Sequence, residues 1–175
     1  MSPLPALTWP PSPSAEQSAI HSGILDVQGI RDFVSHDGAG AALLFEGTVR
    51  NSTAGRTDVT ALEYEVKASM ADKIIAEILR ETSESLAVKA IAVAHRQGYC
   101  ALGEVTVVIA VSAAHRDEAY RASRLLIDRI KHEAPIWKRE IFVDGTGAWS
   151  EGCTACTHPT YHAAAERKTQ ISGRP

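Results

Sequence analysis

Residues 131–140 read K-H-E-A-P-I-W-K-R-E. Upstream of this stretch Ala119, Ala122, Leu126 and Ile130 recur at helical spacing. Downstream, Ile136, Phe142 and Val143 stand among polar residues in a strand-like run, and Pro135 forbids the helix to continue. The stretch therefore predicts a corner where a helix hands over to a strand, with Lys131 on the last helical turn and Lys138 in the strand. Two ammonium groups brought near each other repel, so each releases its proton more readily. Lysines so placed hold anions, or act as bases or nucleophiles, near neutral pH. The ordinary alternative is solvated surface charge, since cations also favour helix C-termini.

Around this corner the chain has the size for one globular domain: 175 residues, 45% hydrophobic. A net charge of −3 and a pI near 6.2 argue against a general nucleic-acid binder. No apolar run approaches the roughly 20 residues of a membrane span. The N-terminus has no basic segment ahead of an apolar one, so it does not read as a signal peptide. Three cysteines, an odd number, fit a reduced cytoplasmic protein better than a disulfide framework. A cytoplasmic protein without nucleic-acid or membrane partners is expected.

Residues 1–18 carry five prolines and are expected to be a disordered leader, with the domain proper spanning 19–150. Ile24 to Val34 reads as a short strand passing into a helix, with Asp26 as N-cap and Ile30, Phe33 and Val34 as the apolar stripe. Ala41 to Asn51 looks like a buried strand that turns polar at Arg50, a natural anion contact if not a plain surface arginine. A polar loop, N-S-T-A-G-R-T-D, leads to a second strand at Val59–Val66. Ala68 to Leu86 is the clearest helix, with Ala71, Ile74, Ile75, Ile78 and Leu79 on one face. Two further strands follow, V-K-A-I-A-V-A-H-R and E-V-T-V-V-I-A-V-S-A, joined as an antiparallel hairpin by the turn G-Y-C-A-L-G. The second is apolar on both faces and predicts a central strand.

That strand ends at His115-Arg116, just before a helix at Asp117–His132, where free amides and the helix dipole favour an anion. The earlier pair His95-Arg96 leads into a turn and reads as structural. Arg116 and Lys131 flank one helix 15 residues apart, about 22 Å at ~1.5 Å per residue. If both touch one small substrate, they come most simply from two subunits of a two-fold dimer. The tail, residues 151–175, contains C-x2-C-x-H-x3-H from Cys153, Cys156, His158 and His162. A single residue between the ligand pairs strains a tetrahedral zinc site, so an incidental polar tail is the preferred reading and no metal is expected.

The ordered set L-F-E-G-T-V-R-N (44–51), L-E-Y-E (62–65), H-R-x-G (95–98), G-E-V (103–105), A-H-R (114–116), I-D-R-I-K (127–131) and A-P-I-W-K-R-E (134–140), closing with Trp149, resembles the large, catalytic subunit of molybdopterin synthase. The resemblance covers about residues 24–150. It implies an α+β fold, a hammerhead-type domain with antiparallel sheets covered by helices. It implies a sulfurtransferase that converts cyclic pyranopterin monophosphate into molybdopterin, using sulfur from a small ubiquitin-like subunit with a C-terminal thiocarboxylate. The implied assembly is a heterotetramer around a dimer of large subunits, with no resident cofactor. By motif position Lys131 and Lys138 are the implied catalytic lysines. Thr48, Val49, Arg50, His115, Arg116, Arg139 and Glu140 are the implied substrate-binding set, with the His115-Arg116 pair coming from the neighbouring subunit. An arginine that the resemblance implies shortly after Trp149 is absent from S-E-G-C-T-A-C, so one anion contact is either missing or supplied by another residue such as Arg139. The competing readings are a non-catalytic binding module for a ubiquitin-like sulfur carrier and a metal-binding protein built on the Cys/His tail.

Overall fold

The structure, a computed structural model, describes residues 16–150 apart from residue 54. The Cys/His tail and residues 1–15 lie outside the described residues. The elements are β1 (Glu16–His21), α1 (Val27–Phe33), β2 (Ala41–Thr48), β3 (Val59–Val66), α2 (Ala68–Ser85), β4 (Val88–Arg96), β5 (Gly98–Ala101), β6 (Val105–Ala113), α3 (Arg116–Glu133), β7 (Ile136–Phe142) and β8 (Gly147–Trp149). They form two four-stranded sheets, ordered β1-β4-β6-β2 and β5-β3-β7-β8. The class is α+β, as expected.

The first sheet is covered on both faces. On one, Ile91, Val93, Ile109 and Val111 meet Ile75, Ile78 and Leu79 of α2 and Ala122, Leu126 and Ile130 of α3. On the other, Ala92, Ala94, Val108 and Ala110 meet Leu25, Ile30 and Val34 around α1. Each fully buried Ile or Leu of this core contributes about 2 kcal/mol of transfer free energy. This double cover explains why β6 carries apolar residues on both faces. Alanines on the α1 side let that short helix approach closely.

Three local expectations change. Ile24 is 81% exposed and outside any strand; the first strand lies earlier, at Glu16–His21, and so takes in residues 16–18 of the expected leader. Its sequence, E-Q-S-A-I-H, carries little apolar signal. It holds by a parallel ladder to β4 running from Glu16↔Ile91 to His21↔Arg96, the one parallel pairing among the described strands. Asp26 nevertheless caps α1 as expected, its carboxylate accepting from the Gly29 amide at 2.9 Å.

Second, the turn expected at G-Y-C-A-L-G holds a strand. β5 leaves β4 at Gly98 (φ +80°), pairs with β3 in the other sheet, and returns at Gly103 (φ +82°). Positive φ at both points is what glycine supplies cheaply. Third, β2 is an edge strand, half-exposed rather than buried. β4 and β6 pair antiparallel as expected.

Candidate active site

The α3–β7 corner forms as its sequence dictates. Lys131 lies exposed in the last turn of α3. Ala134 ends the helix in extended conformation, and Pro135 starts the chain toward β7. The Pro135 carbonyl accepts from the Lys67 amide at 3.2 Å, which fastens the corner to the start of α2. β7 then runs between β3 and β8.

Side chains alternate along β7, so Lys138, Glu140 and Phe142 share one face. The cross-strand partners Tyr64 (opposite Lys138) and Leu62 (opposite Glu140) belong to the same face. Glu140 is buried, and one of its oxygens gathers three donors. Lys138 Nζ lies at 3.2 Å, Thr53 Oγ1 at 3.0 Å and Ser150 Oγ at 3.1 Å. Burial alone would push the Glu140 carboxyl up; the hydrogen bond from Thr53, with those from Lys138 and Ser150, outweighs it and holds the group below the usual carboxylate range. Glu140 is thus an ionised anchor for Lys138.

Beside this pair, burial pushes the Tyr64 hydroxyl up, so it stays protonated and donates to Thr106 Oγ1 at 3.3 Å. Thr106 in turn donates to the Gly47 carbonyl at 3.0 Å. The Tyr64 ring meets His95 edge-on at 4.9 Å between centroids. His95 and Arg96 are buried: His95 Nδ1 donates to the Arg96 carbonyl at 2.7 Å and Arg96 Nη2 to the Tyr99 carbonyl at 3.0 Å. That pair is structural, as expected.

Thr48 ends β2, and Val49 joins a small core with Val59, Cys100 and, from the face that carries Lys138 and Glu140, Leu62 and Phe142. Backbone bonds from the Val49 amide to Glu104 (3.0 Å) and from the Gly103 amide to Val49 (2.9 Å) fix this exit, and Arg50 emerges from it exposed. Because α3 packs back across β6 and β2, its C-terminal end with Lys131 returns toward the Thr48 end of the sheet. His115, the N-cap of α3, and Arg116 lie exposed at the far end, a full helix length away. Within one chain the candidates therefore form two groups. Thr48, Val49, Arg50, Lys131, Lys138 and Glu140 stand toward one end; His115 and Arg116 stand at the other.

Arg139 joins neither group. It sits on the opposite face of β7, 3.5 Å from Glu63 and packed so closely over Gly147 that a Cβ there would lie 2.6 Å from its Nε. It faces away from Lys138 of its own chain. Thr53, Ser150 and Tyr64, which shape the Lys138 environment, escaped the sequence reading. The pairing of β7 with β3 and β8 brings Tyr64 and Ser150 there, and the loop before β3 brings Thr53. Among the described residues no group of three or more His, Cys, Asp or Glu is placed to hold a metal, and no helix is long and apolar enough to cross a membrane.

A four-stranded sheet covered on both faces, a second four-stranded sheet and a lysine-bearing corner leading into it define an α+β protein with a cationic corner. The model of the MoaE protein family matches residues 20–133, and the chain belongs to that family. It is 48% identical over 111 residues to the molybdopterin synthase catalytic subunit of Thermoplasma volcanium, covering 63% of this chain and 80% of that one. To the subunit of the same name from Oryza sativa subsp. indica it is 44% identical over 130 residues, covering 74% of this chain and 66% of that one. The match thus spans just under two thirds of the rice protein's length. The crystal structure of molybdopterin synthase from Staphylococcus aureus superposes with a TM-score of 0.70 at 36% identity, covering 75% of this chain and 95% of that one.

Proposed function

We propose that the chain is the catalytic subunit of a molybdopterin synthase, transferring sulfur from a thiocarboxylated small subunit to cyclic pyranopterin monophosphate to build the dithiolene. The observation that carries this reading is the α3–β7 corner. It sets one exposed lysine at a helix end and a second, anchored on the ionised Glu140, seven residues later. The substrate is an anion with a cyclic phosphate, which Arg50 and the two lysines suit as contacts. Replacing oxygen by sulfur and opening the cyclic phosphate both develop negative charge on oxygen and require proton movement. Lys131 is the principal catalytic group, stabilising that charge and moving the proton. Lys138 assists as acid/base and anion clamp, held in place by Glu140, whose role is therefore support rather than direct substrate contact.

The active assembly is a dimer of this chain with two small subunits, working in the cytoplasm. His115 and Arg116 then serve the pocket of the second copy, at the N-terminus of α3 where amides and dipole favour an anion. The test is reconstitution. Purified chain, substrate and thiocarboxylated small subunit are combined, molybdopterin is followed as its fluorescent oxidised derivative, and Lys131→Ala runs in parallel. Product from the native chain and loss of at least about a hundredfold in the variant is the expected result. No product from the native chain, with the small subunit still bound, would instead make it a binding module.

A further inference from the structure

The segment N-S-T-A-G-R-T-D after β2 is polar throughout and by composition should be mobile. Its described residues are instead fastened to β7 at several points. Its end is closed by the Val59 amide donating to the Asn51 carbonyl at 3.1 Å. Thr53 and Arg56 exchange both backbone hydrogen bonds, at 2.9 and 3.2 Å, with Gly55 at φ +80° between them. The Arg56 guanidinium lies over the Phe142 ring, its carbon 3.6 Å from the centroid. Its Nε donates to Asp58 at 2.8 Å, its Nη2 to the other Asp58 oxygen and, at 3.3 Å, to Asp144. The Asp58 carbonyl accepts from the Val143 amide at 3.0 Å, tying the same segment to the end of β7.

The consequence reaches the lysine. Phe142 is on the face of β7 that carries Lys138 and Glu140, and stacking Arg56 on it holds the paired Thr53 where its hydroxyl donates to Glu140. The same oxygen of Glu140 receives Lys138. We propose that Arg56 is a positioning residue for the sulfur-transfer reaction: it pins Thr53 over β7, and through Thr53 and Glu140 it fixes the place of the Lys138 ammonium. The inference rests on the function proposed above. The planar fork is what the place requires, because it stacks on a ring and bridges two carboxylates at once. Without it Asp58 and Asp144 lose the cation between them and Phe142 loses the group lying over it, which loosens the segment's hold on β7.

The experiment uses the full chain in the reconstituted synthesis, with Arg56→Ala, Arg56→Lys, Thr53→Val and the double variant Arg56→Ala/Thr53→Val. Amide hydrogen exchange at Thr53, Arg56 and Val59 is measured on the same proteins. Arg56→Ala should lower kcat about tenfold while KM rises less than about threefold, the signature of a group misplaced in the transition state. Arg56→Lys should recover part of the loss. Thr53→Val should match Arg56→Ala, and the double variant should be no worse than either, because both act through one contact. Exchange should accelerate in Arg56→Ala and stay near native in Thr53→Val. Native kcat in Arg56→Ala, losses that multiply in the double variant, or unchanged exchange in Arg56→Ala would each overturn the proposal. If the native chain makes no product, the sulfur-transfer reading falls. Arg56 is then judged on exchange alone, where acceleration supports the pinning and no change refutes it.

Discussion

At the scale of single residues, Glu140 shows how one buried carboxylate organises a cationic site. Its charge is sustained by Thr53, Lys138 and Ser150 against the cost of burial, so its pKa sits lower in the folded chain than in the unfolded one. A depressed carboxyl stabilises the fold above the unfolded pKa, about 4.3, and the contribution disappears as pH falls through the lower, folded value. Glu140→Gln has no such titration and leaves Lys138 without its partner. At pH 7 the variant should be less stable by about 1–3 kcal/mol, the range for losing hydrogen bonds to a charged, buried group. Urea midpoints at pH 7, 5 and 3.5 should show this gap narrowing on acidification. A gap that stays constant would mean that Glu140 is not the titrating group. The residue types of the site were legible in the motif A-P-I-W-K-R-E. That Glu140 holds Lys138 while Arg139 turns away follows from two-residue alternation only once the strand is known to have two distinct faces.

At the scale of elements, the sequence pattern located what periodicity and punctuation can locate. The 18-residue helices α2 and α3 each carry an uninterrupted apolar stripe, and β3, β4 and β6 are apolar enough to declare themselves. Elements held chiefly by backbone ladders stayed hidden: β1 with its polar sequence, the three-residue β8, and β5, which looks like the turn between its neighbours. β5 depends on its first glycine. A Cβ at Gly98 would meet no atom within 4 Å, so the cost of Gly98→Ala comes from the backbone alone, at φ +80°. That cost should be about 1–2 kcal/mol, seen as a lower urea midpoint with an unchanged slope, and Gly98→Asn should be milder because asparagine tolerates this region. An Ala variant as stable as the native chain would show that β5 can leave β4 without the left-handed residue.

At the scale of the whole molecule, the governing fact is that α3 carries cationic groups at both ends. Arg116 and Lys131 are separated by 15 residues of helix, about 22 Å, and α3 is fixed to the core along its length by Ala119, Ala122, Leu126 and Ile130. No side-chain rearrangement within one chain brings the ends together on a small substrate. This separation was visible in the sequence; its resolution by a second copy belongs to the proposed assembly, and it has a distinctive consequence. If each pocket takes Lys131 from one chain and Arg116 from the other, Lys131→Ala and Arg116→Ala homodimers each have two defective pockets. A mixed dimer concentrates both defects in one pocket and leaves the other native. Unfolding and refolding an equimolar mixture should place about half of the chains in mixed dimers, so roughly a quarter of native pockets, and of native activity, returns from two near-inactive parents. Activity that remains at the average of the two parents after confirmed exchange would remove Arg116 from the pocket that Lys131 serves.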